Sequence, residues 1–143
     1  MILVAKGRIS KTPRPVLIVD DEAGMRTALE VSFARRGWQV ETAGEKADAL
    51  ARFRQRLHSL VVSDVRMADG DGFSVMREVR EIRSQTAVIL LTGFGSVPDA
   101  VEAMKSGACE YLTKPVAFDE LLESAERIGP EIRRLAPLLE PHN

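Results

Sequence analysis

Cysteine is almost missing from these 143 residues. The single Cys109 cannot close an internal disulfide, and its apolar context marks it as a small core side chain of a protein kept in a reducing compartment. Histidine is nearly as scarce. His58 and His142 have no second His or Cys at metal-ligand spacing, which excludes a zinc site of the usual kind, and both read as solvent residues. Charge of one sign is not in excess either: 20 basic residues against 21 acidic ones leave a formal charge of −1, so no overall field draws the chain to nucleic acid or to an anionic membrane. No apolar run approaches the roughly 20 residues that span a bilayer. The opening segment places its apolar residues ahead of Lys6, Arg8, Lys11 and Arg14, the reverse of a secretory signal. Residues 1–14 therefore read as a flexible leader, and the protein as cytoplasmic. Internal repeats and low-complexity segments are absent as well.

What the chain does contain is the composition of one soluble domain, 45% hydrophobic and 29% charged. Leu60-Val61-Val62-Ser63-Asp64 is an apolar run that ends in a carboxylate, the pattern of a strand buried on both faces whose last residue reaches the rim of a parallel sheet. Val16-Leu17-Ile18-Val19 ends the same way in Asp20 and Asp21. If the two strands are parallel neighbours, three acids converge on one rim and form an oxygen-lined site for a hard cation.

In chain order, Pro13 and Pro15 bracket the lead-in to the first strand, and helical spacing of Met25, Leu29 and Phe33 predicts a helix from Glu22 to Arg36 that Gly37 ends. Trp38 to Thr42 alternates as a more exposed strand, with Trp38 in the core, and Glu45 to Arg56 reads as a helix. After the central strand, Arg66 to Gly72 is a Gly- and Asp-rich loop, followed by a helix from Phe73 to Arg83 and a buried strand from Thr86 to Leu91. A helix from Val97 to Ser106, a short strand from Cys109 to Thr113 and a last helix from Asp119 to Arg134 complete the series; Gly129-Pro130 is placed to kink or split that last helix. The expected architecture is α/β: a doubly wound, five-stranded parallel sheet of flavodoxin type, order 2-1-3-4-5, with five helices. Residues 15–134 form the domain and 135–143 a tail.

Four short motifs stand at the ends of these strands: Val19-Asp20-Asp21-Glu22, Ser63-Asp64, Leu91-Thr92-Gly93 and Tyr111-Leu112-Thr113-Lys114-Pro115. Together, in that order, they resemble the motif set of response-regulator receiver domains, over roughly Pro15 to Ile128. The stretch from Thr92 to Pro115, with Ala100-Val101-Glu102-Ala103-Met104-Lys105, is similar to receivers of the NtrC and FixJ kind. This resemblance implies a two-component signalling module that takes a phosphoryl group from a sensor histidine kinase onto Asp64. It implies Mg²⁺ as the cofactor, held by Asp21 and Asp64 directly, by Asp20 through water and by the backbone carbonyl of Arg66. The physical chemistry agrees: a phosphoryl donor brings negative charge to a carboxylate, so attack needs a cation that takes oxygen ligands. Lys114 then supplies a point charge and the Thr92 hydroxyl a donor for the phosphoryl oxygens. Pro115 makes a cis Lys114–Pro115 bond cheap, as is usual in the family.

The resemblance further implies a switch in which Thr92 moves toward the phosphoryl group and Tyr111 fills the vacated space. Tyr111 reads equally as a partly buried structural aromatic. The surface of the fourth helix, fifth strand and fifth helix is then the place for an output domain, a downstream protein or a second receiver, in a phosphorelay or in transcription regulation, with no direct contact to nucleic acid or membrane. Arg66 and Phe94 occupy positions where family members tune phosphoryl lifetime, and their bulk predicts a long-lived acyl phosphate. Ala68 replaces the proline many receivers carry, which is expected to loosen the loop after Asp64.

Other readings are weaker. A receiver that works through protein contacts without phosphorylation leaves the acidic set unexplained. A haloacid-dehalogenase-like phosphatase needs an acid two residues after its nucleophile, where this chain has Arg66, so the expected catalysis is limited to the domain's own phosphorylation and dephosphorylation. Gly93-Phe94-Gly95 lacks the third glycine of a dinucleotide loop, Asp69-Gly70-Asp71-Gly72 lacks the later ligands of a calcium loop, and Arg35-Arg36 and Arg133-Arg134 read as solvated helix ends. With no DNA-binding or ATPase domain after Asn143, the module is expected to be free-standing or cut from a longer regulator or hybrid kinase.

Overall fold

Val16, Leu17 and Ile18, together with Val61 and Val62, have no exposed surface at all, which for neighbouring strands requires cover on both faces of a sheet. The computed structural model, which describes residues 14–93 and 97–139, supplies that cover with helices on either side. The elements run β1 (Pro15–Val19), α1 (Ala23–Arg35), β2 (Gln39–Ala43), α2 (Lys46–Arg56), β3 (Leu60–Asp64), α3 (Gly72–Ile82), β4 (Ala87–Thr92), α4 (Val97–Lys105), β5 (Glu110–Thr113) and α5 (Phe118–Leu139). The sheet is parallel throughout with order β2-β1-β3-β4-β5, the expected doubly wound arrangement.

Alternation along each strand divides the core in two. Leu17, Val19, Val61, Val88 and Leu90 point to the face covered by α2, α3 and α4, where Leu50, Phe53, Val75, Met76, Val79 and Ala103 meet them. Val16, Ile18, Leu60, Val62, Ile89 and Leu91 point the other way, toward Leu29, Phe33 and Trp38 and toward Leu121, Leu122 and Ala125 of α5. Burying each such Leu, Ile, Val, Met or Phe contributes roughly 1.5–3 kcal/mol, so the two layers together outweigh any surface interaction described below.

Four expectations need correction. His58 is not a solvent residue: it has no exposed surface, stacks on Phe53 with ring centroids 5.9 Å apart, and places Nε2 2.6 Å from Glu41 Oε1. Leu57 before it, at φ 51°, turns the chain inward at the end of α2 and carries the imidazole beneath that helix. The loop after β3 is not without structure, because Arg66 and Met67 pair antiparallel with Asp71 and Gly70 in a two-residue ladder. The last helix continues through Gly129-Pro130 to Leu139 rather than ending at Arg134, since proline forfeits a single backbone donor and the flanking Glu, Arg, Leu and Ala residues favour helix. Cys109 is partly rather than fully buried, and Trp38 is in the core, edge-on to Phe33. Phe94, His142 and residues 1–13 lie outside the described residues.

Candidate functional site

Parallel strands end at one edge, and four of the five ends carry the residues singled out above. Asp20 and Asp21 follow β1, Asp64 closes β3, Thr92 closes β4 and Lys114 follows β5. The pairings Val19↔Ser63, Asp64↔Leu91 and Thr92↔Thr113 bring these ends level. One carboxylate oxygen from each of Asp20, Asp21 and Asp64 lies within 4.8 Å of the others. The Lys114 ammonium sits 3.0 Å from Asp20 Oδ2 and 3.5 Å from Asp64 Oδ2. Asp21, Asp64, Arg66, Gly93 and Lys114 line a cleft of about 230 Å³ that opens to solvent beside them.

Backbone hydrogen bonds fix this edge. The Asp20 amide donates to the Ala43 carbonyl at 3.1 Å, Asp20 Oδ1 accepts from the Glu22 amide at 2.9 Å, and Arg26 Nη1 donates to the Asp20 carbonyl at 2.7 Å. The Val65 amide donates to the Leu91 carbonyl at 2.9 Å and the Lys114 amide to the Thr92 carbonyl at 2.7 Å, so the pairing runs to the last residue of each strand. The Lys114–Pro115 peptide is cis. Gly72 is a requirement of close approach: a Cβ there would stand 2.6 Å from the Asp64 carbonyl oxygen.

Burial sets the electrostatics. Asp64 is 8% exposed, and that desolvation together with the charge of Asp20 pushes its carboxyl above the usual range, against the smaller opposing pull of Lys114. Burial also works against the Lys114 ammonium, yet its hydrogen bond and charge contact with Asp20, and then Asp64, outweigh that and hold it above the ordinary lysine value. Three acids crowded around one ammonium, with oxygen donors only, suit a hard divalent cation of the Mg²⁺ type and not a soft one.

The response regulator receiver domain matches residues 16–126. This chain belongs to that family. The receiver is 39% identical over 112 residues to the transcriptional regulatory protein ZraR of Salmonella typhimurium, a match covering 78% of this chain and 25% of that protein. It is 36% identical over 122 residues to the acid tolerance regulatory protein ActR of Rhizobium meliloti, covering 82% of this chain and 63% of that one. The chain thus spans about a quarter of ZraR and under two thirds of ActR. Among solved structures, the beryllofluoride-activated NtrC4 receiver domain dimer is 33% identical with a TM-score of 0.79, covering 83% of this chain and 98% of its own. A CheY-like receiver from Methanospirillum hungatei JF-1 is 25% identical with a TM-score of 0.82, covering 86% and 98%.

Of the residues anticipated from sequence, Asp21, Asp64, Arg66 and Lys114 line one cleft, the buried Asp20 joins the carboxylate cluster and contacts Lys114, and Thr92, 3% exposed, is buried at the end of β4. Tyr111 is partly buried, packed against the core on the α3 and α4 side. Two supporting residues went unnoticed. Arg26 holds the Asp20 backbone from the first turn of α1, and Asp69 bonds across the fold to α2. Neither carries a sequence signal, since an arginine in a first helical turn and an aspartate in a turn are both ordinary.

Proposed function

We propose that this receiver accepts a phosphoryl group on Asp64 in a Mg²⁺-dependent reaction and passes the event to a partner through α4, β5 and α5. The observation that carries the proposal is the meeting of three carboxylates and the Lys114 ammonium in one cluster beside an open cleft. Asp20, Asp21, Asp64 and the Arg66 carbonyl would hold Mg²⁺, which supplies charge neutralisation for an incoming phosphate and orients it.

The chain's own groups do the rest. An Asp64 carboxylate oxygen attacks phosphorus, an O–P bond forms, and the bond to the donor's leaving group breaks with its electron pair. Burial, by disfavouring the charged carboxylate, makes Asp64 a stronger nucleophile than a solvated aspartate. Lys114, already between Asp20 and Asp64, takes a phosphoryl oxygen as its new counter-ion, and the Thr92 hydroxyl donates to another. Arg66 at the rim of the cleft shields the acyl phosphate from water.

Thr92 and Tyr111 fall on the same face of the sheet, because Thr92 pairs with Thr113 and Tyr111 with Leu90, two residues before Thr92. A shift of Thr92 is therefore felt by Tyr111. Val101 and Met104 on α4, 47% and 49% exposed, give the adjoining surface apolar contacts for an output domain, a downstream protein or a second receiver. The donor is a sensor histidine kinase. No helix among the described residues is long and apolar enough to cross a membrane.

Incubation with Mg²⁺ and acetyl phosphate should give a hydroxylamine-labile adduct that Asp64→Asn lacks. Absence of that adduct from the wild-type chain, or its persistence in Asp64→Asn, would overturn the proposal.

A further inference from the structure

The first amides of a helix have no acceptor within it and need one from outside. In α2 that acceptor is not the preceding residue, for Glu45 makes no side-chain cap. It is Asp69, more than 20 residues further along the chain: Oδ1 accepts from the Lys46 amide at 2.8 Å and Oδ2 from the Ala47 amide at 3.0 Å. These two bonds hold the Asp69 carboxyl below its usual range, and its charge suits the positive end of the α2 dipole.

Asp69 sits at the tip of the turn that follows the phosphoacceptor. At the base of that turn Arg66 pairs with Asp71, the Gly72 amide donates to the Val65 carbonyl at 2.8 Å, and Asp71 Oδ1 caps α3 through the Ser74 amide at 2.8 Å. Near the tip, Lys46 lies over Gly70, where a Cβ would stand 2.8 Å from Lys46 Cδ, and its ammonium reaches Glu78 Oε2 of α3 at 2.8 Å. Ala68 leaves the turn without a proline to stiffen it, so an unheld tip would let the Arg66 peptide rotate. We propose that Asp69 is a positioning residue of the phosphoacceptor site, gripping α2 with both carboxylate oxygens and thereby fixing the turn whose Arg66 carbonyl would help to hold the cation.

This rests on Asp64 and its neighbours being a Mg²⁺ site, and the test separates the two. In the metal-free 143-residue chain, Asp69→Ala should speed hydrogen exchange at the Gly72 amide, whereas Asp48→Ala, which removes an acid from the first turn of α2 without touching the turn after β3, should not. Mg²⁺ titration followed by amide NMR shifts should show affinity reduced about tenfold in Asp69→Ala, the scale seen when a group supporting a metal ligand is lost. Asp69→Asn, which keeps one acceptor oxygen, should fall between, and it serves in place of the alanine variant should that not fold. Unchanged Gly72 exchange in Asp69→Ala, or equal weakening of Mg²⁺ binding by Asp48→Ala, overturns the clamp. A wild-type chain that takes up no Mg²⁺ while Gly72 responds as expected overturns the metal reading instead.

Discussion

The two ends of the sheet use the same kinds of residue to opposite ends. At the amino end the half-buried carboxylates of Glu126 and Glu41 have partners of matching geometry. Arg14 forks onto Glu126 at 2.6 and 2.7 Å and lies 4.2 Å over the Trp38 ring, whose Nε1 also donates to Glu126. Nearby, the Glu41 carboxylate meets His58 Nε2 at 2.6 Å. At the carboxyl end Asp20, Asp21 and Asp64 crowd around Lys114 beside an open cleft. Burial disfavours Glu126 as a carboxylate, but Arg14 more than offsets this and holds it below the usual range, whereas Asp64 is left above it. Charge at one end stabilises the fold, and at the other it is kept at the fold's expense.

Arg14→Ala should break the first half of that comparison with the largest effect. Losing a charge-assisted fork and a cation–π contact is expected to cost about 2 kcal/mol by urea unfolding, with phosphoryl acceptance unchanged. An equal loss of acceptance would show the two ends to be coupled. Asp64→Asn should do the reverse, raising stability by on the order of 1 kcal/mol in the same assay, because it removes a charge that burial and Asp20 both oppose. Destabilisation would mean that the contact with Lys114 dominates the site's energy.

The smallest effect is one of pH. Burial pulls the His58 imidazole below its usual value despite Glu41, and its buried Nδ1 has no partner, so protonation would leave a donor unmet. The unfolded chain therefore binds this proton first. Stability from His58 is complete above pH about 6.5, the unfolded value, and declines as pH falls below it. Asp64 has the opposite sign: its raised carboxyl takes a proton before the unfolded one does, so acidification toward the ordinary aspartate range relieves its cost. Urea midpoints between pH 5 and 8 should slope downward into acid for wild type and less so for His58→Leu. An identical slope in the variant would exclude His58 as the cause.

Much of this was legible in the chain because strand ends are local features. Alternation and apolar runs placed five strands, the parallel order put their carboxyl ends together, and Asp20, Asp21, Asp64, Thr92 and Lys114 each sit at or next to such an end. The burial of His58 and the grip of Asp69 on α2 were not legible, for both depend on contacts between segments 17 to 23 residues apart, with nothing in either segment to announce them. A histidine after an arginine-rich helix and an aspartate in a polar turn look solvated until the packing of α2 is known.

Gly24 and Gly72 illustrate how unevenly the receiver tolerates an added side chain. Around Gly24 a new methyl group would meet nothing within 4 Å, while at Gly72 it would collide with the carbonyl of Asp64. Since β3 is laced to β1 and β4 on both sides, the strand would hold and the start of α3 would be shoved outward, taking the Asp71 cap with it. The spacing from Asp64 to the third helix is in this sense a ruler with one fixed mark, set by a backbone approach that the start of α1 does not have.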